Sequence, residues 1–239
     1  MNNYFLVKNF YNYEKVIPPP SNLPKGLTTV YVTDTEENAS KSRELGWDIV
    51  KKTDLFLNIE DKFERRKSVA FINSFPLIVV PEISDANFVY ICDSNVNRLW
   101  NLYENFVQSC NEKFALFITS GYYTGSRDNI IAETQASRQS RWSYGFDDIE
   151  KCSNRYIKEI KNMNININEL SIVSAKYFGW NVKHSNYNKL SNLLYEEYSK
   201  NLQGNIILTY MYGLHKEKIY NYYTNDYSGT ILNSHNFPS

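Results

Sequence analysis

Apolar and polar positions along this chain separate into strand-like runs and helix-like stripes. Tyr4 to Lys8 (YFLVK), Thr28 to Thr33 (TTVYVT) and Phe88 to Cys92 (FVYIC) are β-branched and aromatic runs of strand length. Two of them stop on an acid, Asp34 after the second and Asp93, opening Asp93-Ser94-Asn95, after the third. Thr35-Glu36-Glu37 then opens a helix with acids in its first turn, and Gly46 ends it just after Leu45. Trp47 to Val50 (WDIV) gives the next strand. Strand, helix and strand between Thr28 and Val50 make a βαβ unit, which predicts parallel pairing. Asp61 to Ser74 is helical in pattern, Pro76 stops it, and Pro81 keeps the following segment irregular.

Beyond Asn95 the period becomes helical: Leu99, Leu102, Tyr103, Phe106 and Val107 form an amphipathic stripe. Phe114 to Thr119 (FALFIT) is another strand and leads into a glycine- and tyrosine-bearing loop, Ser120 to Ser126. Asn129 to Ser140, Asp147 to Lys161 and Tyr187 to Lys200 have helical character. Ile165 to Val173 is ambiguous, and Ile206 to Leu214 suits a buried helix or strand. The tail from Asn221 is polar and aromatic with no clear period. A strand-rich first half and a helix-rich second half predict one α/β domain over 1–239 with two lobes, 1–119 and 120–239.

Composition narrows the function classes. The chain has 239 residues, and its 26 Lys plus Arg balance 26 Asp plus Glu, so no overall basic field calls for nucleic acid. Its three cysteines, Cys92, Cys110 and Cys152, lack paired spacing, which argues against a disulfide framework or a zinc site and for a reducing compartment. No apolar run approaches the roughly 20 residues of a membrane span, and a soluble cytoplasmic protein is the expectation. No GxSxG, GxxxxGK[ST], HExxH, CxxC pair or post-strand GxGxxG is present.

What remains is a sheet edge with two carboxylates. In open α/β sheets ligands bind beyond the carboxyl ends of the strands. Asp93 and Asn95 offer hard oxygen ligands, suited to Mg²⁺ or Mn²⁺ rather than zinc, although Asp-Ser-Asn is also an ordinary helix cap. Arg65, Arg66 and Lys67 would suit a departing diphosphate, or else form a solvated helix face paired with Glu60, Asp61 and Glu64. His235, near the C-terminus, would complete a metal site if the tail folds over the cleft, or is a surface histidine.

Val32-Thr33-Asp34, Gly46-Trp47, Arg65-Arg66-Lys67 and Tyr90-Ile91-Cys92-Asp93-Ser94-Asn95 together resemble the nucleotide-binding half of GT-A glycosyltransferases. The chain resembles in particular the small glycosyltransferase domain of large chlorella-type DNA viruses. Arg127 to Glu133 with Arg141-Trp142 resembles a later block on the acceptor side, so the likeness covers about the first two-thirds of the chain. The resemblance implies a GT-A-like (Rossmann-like) mixed, mostly parallel sheet flanked by helices, and transfer of a sugar from a UDP-sugar to a glycan hydroxyl. It implies Mn²⁺ or Mg²⁺ held by Asp93, Asn95 and His235, uridine contacts from Thr33 and Asp34, and diphosphate contacts from Arg65, Arg66 or Lys67. For a viral protein the location would be the host cytoplasm. An inverting reaction needs a base; Asp128 and Glu133, after the aromatic loop, come first, with Glu196, Glu197 and Asp147 behind them. Two alternatives stay open: a nucleotidyltransferase on the same fold, and a carbohydrate-binding protein without turnover.

Overall fold

The computed structural model describes residues 2–10, 15–20, 26–55, 59, 61–93, 113–121, 129–139, 145–175 and 177–224. The expected helix around Leu99–Val107, most of the glycine-tyrosine loop, Asn95, Asp128 and His235 lie outside them.

A seven-stranded sheet is built from β1 (Asn3–Asn9), β2 (Leu27–Thr33), β3 (Ile49–Lys52), β4 (Phe88–Asp93), β5 (Leu116–Gly121), β6 (Tyr177–Asn181) and β7 (Ile219–Thr224), in the order β3-β2-β1-β4-β6-β5-β7. Pairing is parallel except on both sides of β6, which runs antiparallel to β4 and β5. The chain steps outward from β1 to β2 and β3, then crosses back to place β4 on the other side of β1. That reversal is a topological switch point, and in open α/β sheets ligands bind beyond the carboxyl ends of the strands at such a point.

Both faces of the sheet are buried, as parallel strands require. In β1, Tyr4 and Leu6 join the larger core, with Val69, Ala70 and Ile72 of helix α2 (Lys62–Ser74), while Phe5 and Val7 join the other with Tyr31, Trp47 and Tyr90. By the same alternation Lys8 falls on the α2 side and Asn9 on the opposite side. Among the described residues the remaining α-helices are α1 (Glu36–Glu44), the one-turn α3 (Pro76–Val79), α4 (Ile130–Arg138), α5 (Phe146–Asn162), α6 (Tyr187–Tyr198) and α7 (Gly204–His215).

Several elements follow their local chemistry. Thr35 caps α1 by accepting from the Asn38 amide, and Gly46 closes it at φ 88°. The strand expected at Trp47–Val50 starts later, because the Asp48 carboxylate accepts from the Thr29 amide and hydroxyl at 2.8 and 2.7 Å. Ile206–Leu214 resolves as the buried helix α7. The ambiguous stretch before β6 holds a single 3₁₀ turn, Ile167–Glu169.

Strand β6 has no counterpart among the sequence expectations. Its central Gly179 hides the strand, since glycine weakens strand propensity. The structure shows why glycine stands there: a Cβ would lie 2.2 Å from Cζ of the buried Phe88 ring on β4. Gly179→Ala should therefore lower stability by ~2 kcal/mol through overpacking, read as a fall in the urea midpoint. An unchanged midpoint would mean that the Phe88 ring yields at no cost.

Candidate functional site

At the switch point the last turns of β1 and β4 face each other. Lys8 and Asp93 are cross-strand partners in the parallel register, on the α2 side of the sheet. The Lys8 ammonium lies 3.1 Å from Asp93 Oδ1, with a side chain only 4% exposed, whereas that of Asp93 is 38% exposed. Lys8 also donates to Asn73 Oδ1, near the end of α2, and sits 5.9 Å from the Phe178 ring centre. Carbonyl dipoles at a helix C-terminus favour a cation, so the end of α2 assists.

Asn73 links this pair to a tyrosine. The Tyr198 hydroxyl shares a hydrogen bond with the Asn73 side chain and senses the charges of Arg66 and Asp93. Burial pushes its pKa up to about 12, Asp93 adds to the rise, and Arg66 opposes it. Tyr198 is thus a neutral hydroxyl at physiological pH. The start of α7 presses against it: a Cβ on Gly204 would lie 2.1 Å from the Tyr198 oxygen and 2.7 Å from Ala175 Cβ.

The basic helix divides its three cations. Arg66 is the one felt at the Tyr198 hydroxyl, and its Nε is buried. Arg65 donates from Nε to the Ile59 carbonyl, and Lys67 pairs with Glu64 at 2.6 Å. At the end of β2, Thr33 is fully buried; its carbonyl accepts from the Thr53 amide at 2.8 Å. Its Oγ1 is buried with no hydrogen-bond partner among the described residues. Asp34, the next residue, is half-buried.

The candidate bases separate by burial. Glu133 is 1% exposed in the first turn of α4, and its Oε1 accepts from Asn205 Nδ2 at 3.2 Å, while Asn205 Oδ1 accepts from the Ala175 amide. Glu196 and Asp147 are exposed. Glu197 is engaged elsewhere: it accepts from Arg155 and, at 2.6 Å, from the Tyr156 hydroxyl, and pairs with Lys200 at 3.4 Å. Burial alone would raise its pKa, but the hydrogen bonds from Tyr156 and Arg155 outweigh that and hold it below the usual value.

Sequence reasoning missed Lys8, Asn73 and Tyr198. The signal for Lys8 was a lysine closing an otherwise apolar strand, in phase with Tyr4 and Leu6. Asn73 and Tyr198 carried none, since each looks like an ordinary helix position.

Among the described residues no three His, Cys, Asp or Glu side chains gather into a metal cage. The donor set still suits a hard divalent ion. One carboxylate, partly exposed and with Oδ1 engaged by Lys8, matches the way Mg²⁺ is held by one or two carboxylates together with substrate phosphates and water. No helix among the described residues is long and apolar enough to cross a membrane.

The arrangement of strands matches solved structures. Mouse xyloside xylosyltransferase 1 superposes with a TM-score of 0.54 over 92% of this chain and 85% of its own, at 9% identity. The WbbM bifunctional glycosyltransferase gives 0.50 over 90% of this chain and 38% of its own, at 12% identity. The fold is GT-A-like. CMP:2-keto-3-deoxy-manno-octonic acid synthetase, solved with CTP, gives 0.48 over 95% of this chain and 91% of its own, at 9% identity. No family model matches the chain. A DNA-directed RNA polymerase subunit beta'' of Plasmodium falciparum is 29% identical over 127 residues, and the chain spans only 12% of that protein's length.

Two stability tests follow from the charges. Asp93→Ala strands a buried ammonium and should cost ~2 kcal/mol, whereas Lys8→Met leaves a carboxylate that water reaches and should cost ~1 kcal/mol or less. Urea unfolding of both variants checks the order; equal losses would contradict it. Glu197→Gln should cost ~2 kcal/mol at neutral pH, toward the low side because Arg155 is 38% exposed. Since the folded-state pKa of Glu197 is lowered, its contribution is present above the unfolded value, roughly 4.3, and is lost as pH falls through the lower folded value. The melting temperatures of Glu197→Gln and the parent should converge on acidification, and a gap that widens would refute this assignment.

Proposed function

We propose that this chain is a metal-dependent glycosyltransferase that moves a sugar from a UDP-sugar to a glycan hydroxyl. The observation that carries the reading is the charged cluster of Lys8, Asp93, Asn73 and Tyr198 at the switch point between β1 and β4. This is where an open α/β sheet receives a ligand, and the ions there suit a diphosphate. The GT-A-like fold supports the same reading without specifying the substrate. The resemblance to small virus-encoded glycosyltransferases and a cytoplasmic location belong to the same proposal.

In this proposal Asp93 would hold Mn²⁺ or Mg²⁺, with Asn95 and His235 as further ligands. The bound ion would supply Lewis-acid stabilisation of the negative charge that grows on the departing diphosphate. Arg66 adds a fixed cation to that edge, oriented before the donor arrives. Arg65 and Lys67 already meet the Ile59 carbonyl and Glu64, and contribute through the local field. Thr33 and Asp34 would border the uridine, and the buried Thr33 hydroxyl has hydrogen-bonding capacity to spare there. Tyr198, neutral and rigidly placed, offers a hydroxyl rather than a charge. If the reaction inverts the anomeric centre, the base would be Asp128 or Glu133.

A thermal-shift series with UDP, GDP, CMP, CTP and UDP-sugars, each with and without Mn²⁺, tests the proposal. UDP and at least one UDP-sugar near 100 Kd should raise the melting temperature by roughly 5–10 °C. Mn²⁺ should enhance the shift, and Asp93→Ala should remove that enhancement. A response to CTP or CMP alone would favour nucleotidyl transfer. Silence with every nucleotide would favour a carbohydrate-binding protein without turnover.

A further inference from the structure

Lys8 occupies an unusual position for an edge that would receive a divalent cation. Its ammonium is 3.1 Å from Asp93 Oδ1, so the carboxylate that would hold the ion already carries a counter-charge. Lys8 has little freedom to withdraw. Its side chain is 4% exposed, its ammonium donates to Asn73 Oδ1, and the Phe178 ring lies to one side. Swinging away would leave a buried ammonium without its acceptors, which is strongly unfavourable. The pairing is also fixed by register, because Lys8 and Asp93 are opposite each other across β1 and β4.

We propose that Lys8 makes metal loading depend on the nucleotide: the divalent ion enters this edge as its complex with a nucleoside diphosphate, and not ahead of it. A bare divalent ion approaching Asp93 meets a carboxylate whose charge is already balanced by a fixed ammonium a few ångströms away. At that range a unit charge changes ion affinity by roughly tenfold or more, even at a dielectric well above that of a dry interior. A nucleoside diphosphate would bring the missing negative charge and most of the oxygen ligands. Lys8 is therefore a positioning residue: it orients Asp93 through Oδ1 and sets the order in which ion and nucleotide bind. This inference rests on the nucleotide-sugar reading above, and its central measurement does not.

The test is Mn²⁺ binding to the whole chain, followed by the electron paramagnetic resonance signal of the free ion, with and without UDP. The parent should bind Mn²⁺ alone weakly. Lys8→Met should bind Mn²⁺ alone at least tenfold more tightly, and Lys8→Arg, which keeps the charge, should behave as the parent does. Thermal melts establish that each variant is folded. If Lys8→Met does not fold, Lys8→Gln replaces it, since its neutral amide can still donate to Asp93 or Asn73. Equal affinity for Mn²⁺ alone in the parent and the neutral variant overturns the proposal. In the parent, UDP should recruit Mn²⁺ to the protein. If UDP recruits none while the neutral variant still gains affinity for the bare ion, the nucleotide reading falls and the charge effect of Lys8 stands.

Discussion

A lysine ammonium enclosed at the end of a parallel strand constrains everything around it. An ammonium removed from water must be met by oxygen, and the chain supplies two acceptors for Lys8, the Asp93 carboxylate and the Asn73 amide oxygen. The first requires β1 and β4 to pair in one register. The second requires α2 to end at one height above the sheet. That height is fixed from the far half of the chain: Trp180 of β6 donates its indole N–H to the Asn73 carbonyl at 2.8 Å, and Tyr187 of α6 donates to the Ser74 carbonyl at 3.4 Å. The ion pair therefore depends on contacts made more than a hundred residues away in sequence.

Helix α6 carries two adjacent side chains with different tasks. Glu197 turns toward α5, where Arg155 and the Tyr156 hydroxyl satisfy its carboxylate and Tyr156 stacks on Tyr210 of α7 at 4.0 Å. Tyr198, the next residue, reaches Asn73 at the sheet edge. The buried carboxylate thus holds together the three-helix layer that sets the Tyr198 hydroxyl against Gly204. A site on such a layer keeps its geometry without a ligand, which favours preorganised electrostatics over adjustment on binding.

Much of the first half was legible because its signals are local. The βαβ unit from Thr28 onward shows in a β-branched run, a threonine cap, acids in the first turn and a closing glycine, and each of these acts within a few residues. Asp93 was legible as a strand-end acid. The second half concealed two strands, β6 and β7. In β6 a glycine required by the Phe88 ring removes the propensity signal, and in β7 an aromatic, polar segment pairs along β5 with no alternation that marks it in isolation. The surroundings of Asp93 were hidden for the same reason. Lys8 meets it, and Asn73 meets Lys8, only once register and helix height are known, and both are fixed by long-range packing. Of three consecutive basic residues, Arg66 is the one whose charge acts on the Tyr198 hydroxyl, which depends on helix rotation and not on composition.

The antiparallel strand β6 explains how the second half reaches the site at all. Because β6 runs against β4, its first residue, Tyr177, pairs with Cys92 beside the carboxyl edge, and the chain enters the strand there instead of leaving it. Ala175, just before it, accordingly sits at the edge, where its amide is bound by Asn205 and its methyl lies against the start of α7. A parallel strand in this position would have delivered its C-terminal residues to the edge and the preceding loop to the opposite side. The reversal brings Ala175, Gly204 and Asn205, and through Asn205 the buried Glu133, toward the edge where Lys8 and Asp93 pair. The strand order thus sets the charged pair from the first half, and the direction of one strand sets the wall it faces.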